Sequence, residues 1–483
     1  MSIAQHAVAL PVAKPKRTLE NRVNDLSWRD WLLFQKSFFT VADDKSLYGD
    51  LIQFFTKRYA PDGRTNRVMV ITVGVSDGCS IINTHGRTLF SETVAPQGIG
   101  RWCYGETDFT PFDFIVIDMR QCSAAFVEQT VVRQDDVLRF FANCRAILRE
   151  SGFCVLLSQE VETPTGRYPL PWMLSSLARH SFRLRDERIG LQADDKAPVY
   201  VNVLQGIPEI GQVHEVLPAL CVGVPAIRQQ WVKPKPKPRN RKEMLHPAKF
   251  PEELVQMFVS KLTEENDVVF DPMGGTGSTA VAALALNRKA VIIELGDAWA
   301  EIARSRIAEA AGGASRRWHV VHGDARNASR LIPTKFKPVA YTVTSPPYWR
   351  VLHNPGMHVG NEGQKARRAK GLRTTYSESE ADLGNVREYE DFIDELAGIY
   401  ECCADLMESG RVLTIVTKNV KFERAQHPIA WDLVLKLCGS DGRFEYAGTT
   451  FWCQDDVGLK PFGMGCDWIS NVLHNYCLHL RVR

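Results

Sequence analysis

Residues 268–294 read VVFDPMGGTGSTAVAALALNRKAVIIE, and the fold is decided there. Val268 to Phe270 are consecutive apolar residues of strand-forming type that run into Asp271, Pro272 and Met273, then into a turn carrying Gly274, Gly275 and Gly277. Ser278 and Thr279 are capping types, and the Ala- and Leu-rich run behind them forms helix readily, so a helix is expected as far as about Asn287. A second strand, Ala290 to Ile293, ends on Glu294. The product is a βαβ unit with a glycine turn at the carboxyl end of its first strand and an acid at the end of its second. Such a turn suits a nucleotide, because glycines let the backbone approach a ligand and a carboxylate roughly 20 residues on can accept from ribose hydroxyls. The GGTG spacing is shorter than GxGxxG, lacks the third packing glycine and follows Asp-Pro, so alone it fits an ordinary strand–helix connection equally well.

A second stretch, VAYTVTSPPYW over residues 339–349, adds weight. It begins as a buried strand and ends in Thr344, Ser345, Pro346, Pro347 and Tyr348; two prolines cannot sit inside a sheet, so they mark the strand's carboxyl end, where open α/β sheets bind ligands. Between the two stretches lies HVVHGDAR with Asp324, and LHPAKFPEEL precedes the first. On these four motifs the chain resembles the S-adenosylmethionine-dependent amino-methyltransferases of DNA, with their DPFxGxGTT-like cofactor motif and [DNS]PP[YFW] catalytic motif. The resemblance covers roughly residues 243–483.

It implies a Rossmann-like α/β fold with a mostly parallel twisted sheet. It also implies that Asp271, Gly274, Gly275 and Gly277 hold the methionine end of the cofactor and the loop geometry, that Pro272, Met273 and Thr344 belong to the cofactor site, that Glu294 binds ribose, and that Asp324 binds the adenine amine. The base amine would be held by the Ser345 hydroxyl and the Pro346 carbonyl; Pro347 would fix the loop and Tyr348 would stack on an extruded base. Met273 replaces the usual Phe. Ser345, where many adenine enzymes carry Asp or Asn, turns the expectation toward N4 of cytosine, with N6 of adenine as the alternative. A DNA-binding or regulatory protein that keeps the fold without catalysis is the competing class, and RNA is a further substrate option.

With 483 residues the chain has room for two or three domains. A net charge of +3 makes any nucleic-acid surface a local patch. The 12 cysteines form no CxxC pair, so neither zinc nor a disulfide framework is expected, and no metal is assigned. No Pro-Cys dipeptide occurs, which argues against methylation at carbon 5 of cytosine. These features suggest a reducing cytoplasm, bacterial or phage-encoded, and no apolar run approaches a membrane span. The expected partners are double-stranded DNA and, through the resemblance, a restriction endonuclease or other defence protein, with the chain monomeric or homodimeric.

Along the chain, residues 1–25 read as a disordered tail. Residues 26–230 repeat the pattern of the second half. A helix over 135–149 leads into ESGFCVLLSQE, as one over 390–407 leads into ESGRVLTIVTKN, and a further helix and strand follow in both. An internal duplication is expected, with a degenerate first copy: IDMRQC stands where the second has TSPPYW, and TVGVSDGCS where it has DPMGGTGST. That copy is expected to serve as pseudo-subunit or recognition domain. Residues 231–242, WVKPKPKPRNRK, read as an extended basic linker offering Lys233, Lys235 and Lys237 to DNA phosphates. The catalytic domain, 243–483, carries an insertion at about 350–383. Its Lys365, Arg367, Arg368, Lys370 and Arg373 are expected to contact DNA.

Overall fold

Fully buried runs of β-branched and aromatic residues form two parallel-rich sheets, one in each half of the chain. The computed structural model describes residues 23–74, 84–105, 110–193, 196–209, 213–214, 217–235, 251–313, 315–349, 379, 381–422, 425–455, 458–459 and 471–483. The first half contributes β1 (Phe38–Thr40), β2 (Arg67–Val73), β3 (Thr88–Val94), β4 (Phe112–Asp118), β5 (Leu148–Ser158), the hairpin β6 (Val161–Thr163) and β7 (Gly166–Tyr168), β8 (Arg183–Leu191) and β9 (Val199–Gln205). The second contributes β10 (Trp231–Val232), β11 (Val268–Asp271), β12 (Lys289–Glu294), β13 (Trp318–His322), β14 (Val339–Thr344), β15 (Met407–Thr417), the hairpin β16 (Val420–Phe422) and β17 (Ala425–His427), β18 (Phe444–Cys453) and β19 (His474–Val482).

The sheet orders are β1-β8-β9-β5-β4-β2-β3 and β10-β18-β19-β15-β14-β11-β12-β13. They correspond strand for strand, with β13 added at the edge of the second. Within each, every pairing is parallel except those of β9 and β19, which run against both neighbours. Even the irregularities recur: β4 slips against β5 between Phe112 and Phe114, and β14 slips against β15 between Val339 and Tyr341. The chain is therefore a duplicated Rossmann-like α/β protein. The expected helices end earlier than the sequence suggested, at Ile147 and Ala404, and the Glu-Ser-Gly segments belong to β5 and β15. Left-handed Ser151 (φ 58°) and Gly410 (φ 84°) take up the irregularity there.

The halves meet across a buried polar and aromatic seam. Tyr446 donates to Glu160 at 2.6 Å, Tyr476 donates to Glu187 at 2.6 Å, and Lys421 lies 2.6 Å from Asp186. Trp172 and Trp431 pack with ring centroids 6.0 Å apart. Burial raises both glutamates above the usual carboxylate range, although each accepts several hydrogen bonds. The boundary at 230/231 needs correction. Residues 221–226 hydrogen-bond to Cys438, Tyr446 and Ala447, and Trp231–Val232 form the edge strand beside β18. The start of the expected linker is thus a strand of the second sheet, and Lys233 is held by Asp455 at 3.2 Å. No helix among the described residues is long and apolar enough to cross a membrane.

Candidate active site

The site is built where β11, β12, β13 and β14 end. Asp271, the last residue of β11, is fully buried, and strand geometry turns its carboxylate into the protein. It accepts from the Met273 backbone at 3.0 Å, the Thr279 hydroxyl at 2.5 Å and the Thr344 hydroxyl at 2.7 Å. One carboxylate therefore ties the cofactor turn, the helix behind it (Ser278–Ala285) and the strand that delivers Ser345. Burial outweighs the three donors and pushes its pKa up to about 6. The turn itself depends on glycine. Gly275 (φ 52°) and Gly277 (φ 84°) are left-handed, and a Cβ on Gly277 would lie 2.9 Å from Ile307. Gly277 is the helix N-cap and makes no side-chain cap, so Ser278 and Thr279 are not the caps that the sequence suggested.

Glu294 ends β12. Its two oxygens accept from the backbone N–H groups of Gly275 and Gly296, each at 2.8 Å, and burial raises its pKa to about 7. The carboxylate thus braces the glycine turn from the neighbouring strand and still faces the cavity. Asp324, after β13, accepts from the Arg326 backbone at 2.9 Å and its guanidinium at 2.8 Å. Arg326 also reaches the Ala381 carbonyl at 3.2 Å and Glu395, so Asp324 is clamped from outside the cofactor turn.

A cavity of about 320 Å³ joins these parts, within the roughly 300–1,000 Å³ typical of small-ligand sites. Pro272, Met273, Gly274, Gly275, Glu294 and Asp324 line one region of it, and Ser345, Pro346, Pro347 and Tyr348 line it with them. The Tyr348 hydroxyl and the Ser345 side chain are hydrogen-bonding partners, and burial raises the tyrosine's pKa. Behind them, Trp349 packs against His427, Tyr389 and Phe422, which anchors the far end of the loop.

Three expected cofactor residues, Asp271, Gly277 and Thr344, do not line this cavity. Asp271 and Thr344 bond to each other, and Gly277 packs on Ile307. Lys235 is exposed, whereas Lys237, Lys365, Arg367, Arg368, Lys370 and Arg373 lie outside the described residues. Given no role from the sequence are Arg326, Lys418, Trp452, Gln454 and Asn475, all of which line the cavity. Arg326 and Lys418 stand in stretches already quoted, two residues past Asp324 and just beyond β15. The other three come from β18, β19 and the residue after β18, and no local pattern marks them.

In the first copy the strand that matches β14 is β4, and it ends on an acid paired with a cation. Asp118, at the end of β4, is gripped by Arg120 at 2.6 Å and accepts from Tyr48, and Arg120 also pairs with Asp44. The carboxylate is spent inside a salt-bridged cluster.

A family model described as DNA methylase matches residues 70–305, from β2 of the first sheet to the helix after β12, and ends before Ser345. The comparisons support the DNA amino-methyltransferase family. Orphan methyltransferase M.BamHII of Bacillus amyloliquefaciens is 40% identical over 62 residues, 13% of this chain and 23% of that protein. Type II methyltransferase M.BglII of Bacillus subtilis is 41% identical over 49 residues, 10% of this chain and 14% of that protein. The chain therefore matches less than a quarter of the length of either relative. Among solved structures, TrmN from Thermus thermophilus aligns with 13% identity and a TM-score of 0.31, over 62% of this chain and 59% of that one.

S-adenosylmethionine is the cofactor to which the likeness to methyltransferases points, and the residues present fit it. Gly274 is backed onto β12 so closely that a Cβ would meet Ile292 at 2.7 Å, and the turn it belongs to lines the cavity. Glu294 and Asp324 offer carboxylate oxygens in the same cavity to hydroxyl and amine donors.

Proposed function

We propose that the chain is a DNA methyltransferase acting on the exocyclic N4 amine of a cytosine swung out of the duplex. The observation that carries this is the shared cavity, in which the glycine turn of β11 and the Ser345–Pro346–Pro347–Tyr348 tip of β14 are both exposed to one ligand-sized space. When bound, S-adenosylmethionine supplies a methyl group on a sulfonium, a strong electrophile.

The chain's residues prepare the other partner. An exocyclic amine is a poor nucleophile because its lone pair is delocalised into the ring. Ser345 Oγ and the Pro346 carbonyl accept its two protons, so that the nitrogen turns pyramidal and its lone pair is freed. With the donor bound, the nitrogen would bond the methyl carbon as the carbon–sulfur bond breaks, its electron pair leaving with the thioether sulfur of S-adenosylhomocysteine, and one proton would pass to solvent with no obligatory general base; positioning carries the rate. Ser345 is bonded to Tyr348 in the structure, so base binding exchanges that contact for the amine and releases the tyrosine ring to stack on the base. The Asp271–Thr344 bond fixes the residue before Ser345 relative to the cofactor turn. Pro272, Met273, Gly274 and Gly275 would hold the methionine end, Glu294 the ribose and Asp324 the adenine amine.

Ser345 in place of a carboxylate or carboxamide favours cytosine over adenine N6. The first copy serves as a built-in pseudo-subunit that buttresses the second through the Glu160 and Glu187 seam. The basic residues of 364–375, with Lys235 and Lys237, supply phosphate contacts on double-stranded DNA. Substituting Ser345→Ala tests the central assignment: methyl transfer should be lost while S-adenosylhomocysteine still binds. Equal loss of both would show that Ser345 belongs to the cofactor site instead.

A further inference from the structure

We infer that Lys418 and Asn475 recognise the acceptor edge of the target base, the ring nitrogen N3 and carbonyl O2 that adjoin the amine of cytosine. This rests on the proposal that the cavity receives a flipped base. In the sheet order β10-β18-β19-β15-β14-β11-β12-β13, the catalytic tip leaves a middle strand. The glycine turn, Glu294 and Asp324 follow β11, β12 and β13 on one side of it. Lys418, Trp452, Gln454 and Asn475 come from β15, β18 and β19 on the other, and both groups line the same cavity. The donor's side and the acceptor's side are thereby separated by the loop that acts between them.

The second group is equipped with unused polar capacity. Lys418 Nζ donates to Gln454 Oε1 at 3.0 Å and to the Val472 carbonyl at 3.4 Å, and no carboxylate pairs with it among the described residues. An ammonium has three donors, so one remains among the described residues. Burial draws its pKa down to about 8, which leaves it protonated at neutral pH. Asn475 is 1% exposed, yet neither atom of its carboxamide has a hydrogen-bond partner among the described residues. A buried amide left so is unfavourable unless a ligand completes its bonds.

The match to cytosine follows from the ring's own pattern. With both amine protons held by Ser345 and Pro346, cytosine next presents N3 and then O2, two acceptors in a row. Adenine presents N1 and then a C–H, which would leave one of the two donors unpaired. A neutral acceptor edge also suits a cation whose partners among the described residues are neutral. This corner therefore selects the base, and the serine need not do so alone.

The test is methyl transfer by the full chain to unmethylated DNA from labelled S-adenosylmethionine, with the product nucleoside identified by mass spectrometry and S-adenosylhomocysteine affinity measured by calorimetry. The wild type should yield N4-methylcytosine. Lys418→Met and Asn475→Leu should each slow transfer at least tenfold with S-adenosylhomocysteine affinity held within twofold, and Lys418→Arg, which still donates, should recover part of the rate. Retained affinity shows that the variants fold. Wild-type rates in the Met and Leu variants would overturn the inference, as would affinity falling in step with rate, which would make the corner part of the cofactor site. N6-methyladenine as the wild-type product would overturn the edge match and leave a methyltransferase standing; no product despite S-adenosylhomocysteine binding would sink the enzymatic proposal and this inference with it.

Discussion

Replacing Asp271 by Asn or Ala separates what its charge does from what its shape does. The folded protein raises this carboxyl from an ordinary 3.8 to about 6, so above pH 6 the fold disfavours the ionised form by about 3 kcal/mol, at about 1.4 kcal/mol per pKa unit. The sign follows directly: a raised folded pKa means that the native state binds the proton more tightly. This group's contribution to stability therefore grows as pH falls through 6 and is lost as pH rises. Between pH 7 and pH 5 the gain is about 1.3 kcal/mol. Asn resembles the protonated acid. It can accept from Met273 and Thr344 and donate to Thr279, whose hydroxyl can turn. Asp271→Asn is therefore expected to match or exceed wild-type stability at pH 8, by up to about 3 kcal/mol, and to lose the pH-dependent increment. Asp271→Ala leaves two buried hydroxyls and an N–H without an acceptor and should cost about 3 kcal/mol or more. Urea unfolding of both variants and the wild type at pH 8 and pH 5 measures all of this. A destabilised Asn variant at pH 8, or an Asn-minus-wild-type difference that does not move with pH, would refute the reasoning.

Three further outcomes follow. Glu294, with a pKa of about 7, must be ionised to accept from ribose hydroxyls, so S-adenosylhomocysteine affinity measured by calorimetry should be about tenfold weaker at pH 6 than at pH 8. Glu294→Gln should bind weakly with little pH dependence, and a wild-type affinity that stays flat would remove the carboxylate from the site. Reversing the charges of Arg367 and Arg368 should weaken DNA binding and make its salt dependence shallower, the log–log slope falling by about 0.9 for each phosphate that is no longer neutralised. An unchanged slope would exclude these residues from the DNA interface.

The convergence of the two decisive motifs was legible for a physical reason. Two prolines cannot sit inside a parallel sheet and the glycine turn follows a buried strand into a helix, so both motifs were expected at strand ends, and β11 and β14 prove to be neighbours that point the same way. The duplication was legible because the Glu-Ser-Gly stretch recurs before an otherwise buried strand. Asp271 holds the turn's geometry through Met273, but the last position of β11 points it inward at Thr279 and Thr344 and it does not line the cavity. The clamp of Arg326 on Asp324 and Glu395 spans residues far apart in the chain. Asn475 was out of reach for the same reason: β19 returns antiparallel between β15 and β18, and that pairing brings Asn475 into a cavity whose motifs lie more than a hundred residues earlier. Local pattern carries the strands and their tips; the walls of the cavity are set by long-range pairing.

The central claim is that one cavity brings a methyl donor to a loosened base amine. Nucleoside mass spectrometry on DNA from cells that express the full chain, set against cells that express Ser345→Ala, tests it most directly. The account predicts N4-methylcytosine with the wild type and none with the variant. DNA free of methylated bases in both, from cells that make folded, S-adenosylhomocysteine-binding protein, would contradict it.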